Sequence, residues 1–208
     1  MDDEGRDVKQ GEIGEMIIRG PLNFNGYFRS EEENKIAFDE QGFLHSGDLM
    51  SLRDDGRLVV EGRKKDMIKR AGETVYPAIV EDKITGYDKV QVCVGVGVPD
   101  KLLGEKLCVF VQPIKGEEVT LDDIISFLKK EGVATYELPE RLELVDGWPL
   151  TAKNAIDKRR LRAFITAKAV QEGVVDREHA DDYLKKDGIT VDDVITEKLK
   201  IEFDRQPG

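Results

Sequence analysis

The chain has 208 residues, 36% of them charged, and acids outnumber bases to a net charge of −11. That length supports one or two domains with a real core. The acidic balance argues against nucleic acid or an anionic membrane surface as the main partner. No run is apolar enough to span a membrane, the opening MDDEGRD is too acidic for a signal peptide, and two cysteines with two distant histidines make no metal-ligand spacing. The expectation is a cytoplasmic chain without a metal site, with Cys93 and Cys108 as buried free thiols.

Taken in order, residues 1–15 read as a polar loop entering a strand at 15–19, which Gly20-Pro21 stops. Ser30 before Glu31, Glu32 and Glu33 predicts an N-cap and a short helix over 31–38. Strands are expected at 44–49 and 58–60, on either side of the turn Asp54-Asp55-Gly56. Ser46-Gly47-Asp48 places a carboxylate directly after a glycine turn, and Gly62-Arg63-Lys64-Lys65-Asp66 is a charged break after Leu58-Val59-Val60. An Asp and an Arg presented at the ends of paired strands suit a polyol or a phosphate ester. The carboxylate accepts hydroxyl hydrogen bonds and the guanidinium adds directional donors.

Residues 66–165 read as a small α+β domain. Arg70-Ala71-Gly72 is a hairpin-like turn between 67–69 and 73–75. Helical spacing covers 77–85, and the Val-rich runs 90–98 and 106–113 read as strands buried on both faces. Thr120 before Asp122 and Asp123 caps an amphipathic helix. A strand is expected at 141–145, a loop at Pro149-Leu150-Thr151, and a helix from Lys158 to Thr166. Beyond it, helical periodicity at 176–186 and 191–203 predicts two short acidic helices, read as a solvated appendage or alternatively as a docking segment.

HSGDL followed by EGRKKDMIKRAGETV resembles the C-terminal motifs of the adenylate-forming ligase superfamily, the AMP-binding acyl- and aryl-CoA synthetases. The likeness is greatest to the 2,3-dihydroxybenzoate-AMP ligase group and spans roughly residues 4–165. The resemblance implies an α+β fold: the β-rich end of a large AMP-binding domain over 1–63, a small mobile lid domain over 64–166 and a helical tail over 167–208. It also implies that the phosphate loop and acyl pocket lie in an N-terminal domain upstream of this chain, so the chain is a portion of a larger enzyme or a truncation, inactive alone.

The resemblance assigns Asp48 and Arg63 to the ribose hydroxyls of ATP and of the acyl-adenylate, Lys65 to the hinge, and Lys69 and Gly72 to a hairpin that swings towards the acceptor thiol. The implied cofactors are ATP or AMP with Mg²⁺, and the acceptor is CoA or a phosphopantetheine thiol. A carrier protein would then be a partner. WPLTAKNAIDKRRLR resembles the final motif, P-x-T-x-x-G-K-x-x-(K/R). Here Asn154 stands at the glycine and Ala155 at the lysine that would serve adenylation, with Lys153 the candidate surrogate. Smaller departures are Ile79 in place of Glu and Glu137 in place of Lys. The chemistry expected of the whole enzyme is acyl-adenylate formation and transfer to a thiol. The alternative is a non-catalytic, lid-like module that docks a partner.

Overall fold

In the computed structural model, residues 1–195 are described. The chain divides into two compact units, Met1–Asp66 and a second that begins at Met67. The expected helix at 176–186 therefore lies inside the description, and the one at 191–203 only in part, with residues 196–203 outside it.

The first unit is a three-stranded antiparallel sheet in the order β1 (Ile13–Ile18), β2 (Leu44–Leu52), β3 (Leu58–Arg63). The short helix α1 (Glu31–Ala37) carries three acids in its first turn, as favourable charge at a helix N-terminus. Ser30 sits at the N-cap position but makes no side-chain cap bond. Asn34 instead ties the helix to the preceding loop, its Oδ1 accepting from the Tyr27 N–H at 2.6 Å.

The second unit is α+β, built on a five-stranded sheet. Its path runs β5 (Glu73–Val75), β4 (Ile68–Arg70), β7 (Gly104–Pro113), β6 (Val90–Asp100), with β8 (Arg141–Leu144) parallel to β7. β6 and β7 are buried on both faces, as their Val-rich sequences predicted. Val94, Val96, Val98, Cys108 and Phe110 face α4 (Lys158–Gln171), α5 (Arg177–Leu184) and α6 (Val191–Ile195). Cys93, Leu107, Val109 and Val111 face α2 (Pro77–Thr85) and α3 (Leu121–Lys130). Both cysteines are buried free thiols, and burial pushes each thiol up from its ordinary value. Thr120 forms a reciprocal capping box with Asp123 at the start of α3.

One expectation is corrected here. The segment beyond Thr166 is not a solvated appendage. α4 runs on to Gln171, and Val175, Ala180, Leu184 and Val191 are buried in the same apolar cluster as the sheet. Glu172, Asp176, Glu178, Asp182 and Asp192 are exposed while a sparse inner set of apolar residues packs, a pattern that charge alone conceals.

Candidate functional site

In the first unit the element that matters is a bulge. The β1–β2 register passes from Glu15↔Leu49 to Ile17↔His45, so Met16 alone faces Ser46, Gly47 and Asp48. Gly47 is thus not a turn between elements but a left-handed residue inside β2, at φ +72°. The buried carboxylate of Glu15 fastens this bulge. Its Oε1 accepts the Gly47 N–H at 3.1 Å, and its Oε2 lies 3.2 Å from His45 Nδ1 and 3.0 Å from Lys64 Nζ. Ser46 Oγ donates to the Met16 carbonyl at 2.7 Å and accepts the Asp48 N–H at 3.1 Å. Burial pushes the Glu15 carboxyl up, but the His45, Lys64 and Gly47 donors together hold it below its ordinary value. For Lys64, burial works downward and Glu15 outweighs it, so the ammonium is held above its ordinary value.

The bulge presents Asp48 opposite Arg63, its cross-strand partner on β3, with Arg63 Nε 3.3 Å from Asp48 Oδ1. Their side chains are 35% and 61% exposed. An ion pair this exposed contributes little to stability, so both groups can exchange each other for a ligand at small cost. The 3₁₀ turn Lys64–Asp66 follows directly. Lys64 is held by Glu15 and by Asp3 at 3.3 Å, whereas the Lys65 side chain is exposed.

In the second unit, Lys69 and Gly72 share the β4–β5 hairpin. Its two-residue loop has Ala71 at φ +50° and Gly72 at φ +90°, the signature of a type I′ turn. Lys69 Nζ reaches Thr74 Oγ1 at 3.0 Å. Residues 151–155 form a separate exposed loop. The Thr151 N–H donates to the Ala155 carbonyl at 2.8 Å, and the Asn154 N–H donates to the Thr151 carbonyl at 2.9 Å. Asn154 is left-handed at φ +60°, a conformation in which Asn is the best substitute for glycine. The loop thus keeps a shape suited to the glycine while Ala155 presents only a methyl group. Lys153 is exposed on the same loop. Lys158 is committed elsewhere: its Nζ bonds Glu81 Oε1 at 2.7 Å, and that oxygen also accepts the Gly95 N–H at 2.7 Å. Ile79 lies half-buried on α2, and the Glu137 carboxylate accepts the Ala134 N–H at 3.3 Å.

The structure therefore joins Asp48 with Arg63, and Lys69 with Gly72, and sets Lys153 on a loop of its own. Sequence reasoning missed Glu15, the clamp of the bulge. Its only signal was a carboxylate in the middle of the otherwise apolar run IGEMII. Among the described residues no group of three or more His, Cys, Asp and Glu side chains could hold a metal ion, and no helix is long and apolar enough to cross a membrane.

The AMP-binding enzyme C-terminal domain family matches residues 79–154, a stretch running from α2 through β6, β7, α3 and β8 to the loop at Asn154. Residues 79–154 belong to that family. The chain is 41% identical over 167 residues to 2,3-dihydroxybenzoate-AMP ligase of Bacillus subtilis, covering 80% of this chain and 31% of that protein. It is 42% identical over 158 residues to the salicyl-AMP ligase / salicyl-S-ArCP synthetase of Mycobacterium tuberculosis, covering 76% and 28%. Among solved structures, ATP-bound MatB from Rhodopseudomonas palustris superposes with a TM-score of 0.73 at 29% identity, over 79% of this chain and 32% of that one. The anthranilate CoA ligase AuaEII in complex with anthranoyl-AMP gives 0.73 at 29%, over 81% and 33%. The chain corresponds to the C-terminal portion of these adenylate-forming ligases and spans about a third of the length of the relatives it matches.

Proposed function

We propose that this chain is the C-terminal, lid-bearing portion of a cytoplasmic ligase that joins an aryl or acyl carboxylate to AMP and then passes the acyl group to a thiol. The observation that carries this reading is the Asp48–Arg63 couple, exposed on a braced bulge beside an exposed lysine-rich turn. Asp48 would accept from the two ribose hydroxyls and Arg63 would donate to the ribose or to the adjoining phosphate oxygen. Lys65, following a Lys64 that is tied down, is the position that would absorb a backbone change. Lys69 and the type I′ hairpin at Gly72 would line the approach of a CoA or carrier-protein thiol. ATP would supply the activating phosphoryl group. The accompanying Mg²⁺ would be bound chiefly by the nucleotide phosphates.

Ala155 sharpens the reading. With no ammonium at that position, the charge developing on the α-phosphate and the attacking carboxylate loses its lysine partner. The loop shape kept by Asn154 favours loss of one side chain over loss of the fold. The deciding experiment is ATP–pyrophosphate exchange by this chain joined to the N-terminal portion of the Bacillus subtilis relative. Ala155→Lys should raise exchange about 10²–10³-fold, the usual worth of one charge-stabilising donor. Asp48→Ala should weaken AMP binding at least tenfold. Exchange equally fast with Ala155 and abolished by Lys153→Ala would transfer the role to Lys153. No exchange in any variant, with the two portions associated, would favour the partner-docking module, which Ala155 otherwise supports.

A further inference from the structure

The β4–β5 hairpin is anchored by Ile68 and Val75, which are buried in the cluster that holds Leu107 and Val109, but it makes few hydrogen bonds to the rest of the sheet. Its only register pair with β7 is Arg70↔Gly104. Its polar holds include the Ala71 N–H on the Leu103 carbonyl at 2.8 Å, Arg70 Nε on Glu140 Oε1 at 2.7 Å, and the Lys69 N–H on Glu105 Oε2 at 2.6 Å. The last of these is the shortest, and the group that accepts it is not fixed by the hairpin. Glu105 is gripped from the other side by the segment that follows α4, outside residues 79–154.

Two side chains of that segment converge on Glu105. Lys186 Nζ lies 3.3 Å from Glu105 Oε1 and 4.1 Å from the centroid of the Tyr183 ring. The Tyr183 hydroxyl is buried and makes no hydrogen bond of regular geometry among the described residues. It sits where β6 leaves room for it. A Cβ added to Gly97 would come within 2.5 Å of the Tyr183 hydroxyl and within 2.9 Å of Glu105 Oε1. A missing side chain in the middle of a strand thus opens the space in which phenol and carboxylate meet. Burial first, and the Glu105 charge next, push the Tyr183 phenol well above its ordinary value, so it stays neutral beside the carboxylate. A second strut runs to the turn that receives the Ala71 N–H: Lys101 Nζ pairs with Asp176, the N-cap of α5, at 3.0 Å.

We propose that Tyr183 and Lys186 are positioning residues: by holding Glu105 against Gly97 they fix the carboxylate that caps the Lys69 N–H, and so set the placement of the β4–β5 hairpin. The segment after α4 acts as a brace on the hairpin. That this hairpin meets the acceptor thiol rests on the function proposed above; the brace itself does not.

The test is amide hydrogen exchange, residue by residue, on the 208-residue chain. Lys186→Met removes the cation, Tyr183→Phe removes only the hydroxyl, and Glu105→Gln weakens the acceptor while keeping its shape. Exchange at Lys69 should quicken at least tenfold in Glu105→Gln and in the Lys186→Met/Tyr183→Phe double variant, with Leu107 and Val109 on β7 unchanged. Unchanged exchange at Lys69 overturns the proposal. So does equal acceleration at Lys69 and Val109, which would make the segment a general stabiliser. In the joined protein carrying Ala155→Lys, the double variant should lower thioester formation about tenfold and leave pyrophosphate exchange as it was. A hairpin loosened without any change in transfer would uphold the brace and overturn the role given to the hairpin in the ligase.

Discussion

Glu15 shows how one residue makes the bulge possible. Three donors converge on a carboxylate only 6% exposed, and a hydrogen bond to a charged group contributes roughly 1.5–3 kcal/mol. A carboxyl held low in the native state and ordinary in the unfolded chain gives its stability above about pH 4.3. It loses that stability as pH falls through the native value. Glu15→Gln keeps the shape and removes the charge. It should therefore cost about 2 kcal/mol at pH 7, measured by urea denaturation followed through β1–β3, and the gap to the parent should close below about pH 4. A gap that persists at pH 3 would mean that packing, not charge, makes Glu15 matter. The same substitution should weaken AMP binding in the joined protein, because the bulge is what aims Asp48.

At the scale of elements, what was local was legible. The Thr120 capping box, the Pro77 helix start and the doubly buried β6 and β7 each carry their own signal within a few residues. Asp48 and Arg63 were singled out through motif order, yet their pairing across β2 and β3 needed the register, which shifts by one residue between Leu49 and Met50. What was not legible depended on partners far away in sequence. Glu15 meets Lys64 and Glu105 meets Lys186, and neither pair has a spacing rule. The segment after Thr166 misled because its acids dominate a short window. One of those acids is structural: Asp187 pairs with Arg162 of α4 at 2.6 Å, with side chains 4% and 3% exposed. Breaking a buried pair leaves a charge without its counter-ion, at a cost of about 3–5 kcal/mol. Asp187→Ala should thus lower the midpoint of denaturation of the second unit sharply, whereas Asp182→Ala, whose Lys185 partner is exposed, should change it by less than about 0.5 kcal/mol. Equal effects would return the segment to the status of an appendage.

For the whole molecule, the apolar core is unequally shared. Among the described residues of Met1–Asp66, Leu49 is the one buried hydrophobic side chain, and the remaining buried side chains are Glu15, Ser51 and Glu61. Leu22, Phe28, Ile36, Leu58 and Val60 are each more than 60% exposed. A unit of this size with so little apolar burial gains too little from the hydrophobic effect to resist opening. The unit from Met67 onward holds two full clusters, one on each face of its sheet. Local opening free energies should follow that division. Amides of β1, β2 and β3 should exchange at least about 100-fold faster than those of β6 and β7, and exchange in the second unit should report global unfolding. The N-terminal portion of a homologous ligase, added to this chain, should slow exchange in β1–β3 at least tenfold and leave β6 and β7 as they were, because it would cover Leu58 and Val60 beside the Asp48–Arg63 couple. If β1–β3 are already as protected as β6–β7 in the isolated chain, the sheet is self-sufficient, and the exposed apolar side chains need another explanation than a large partner domain.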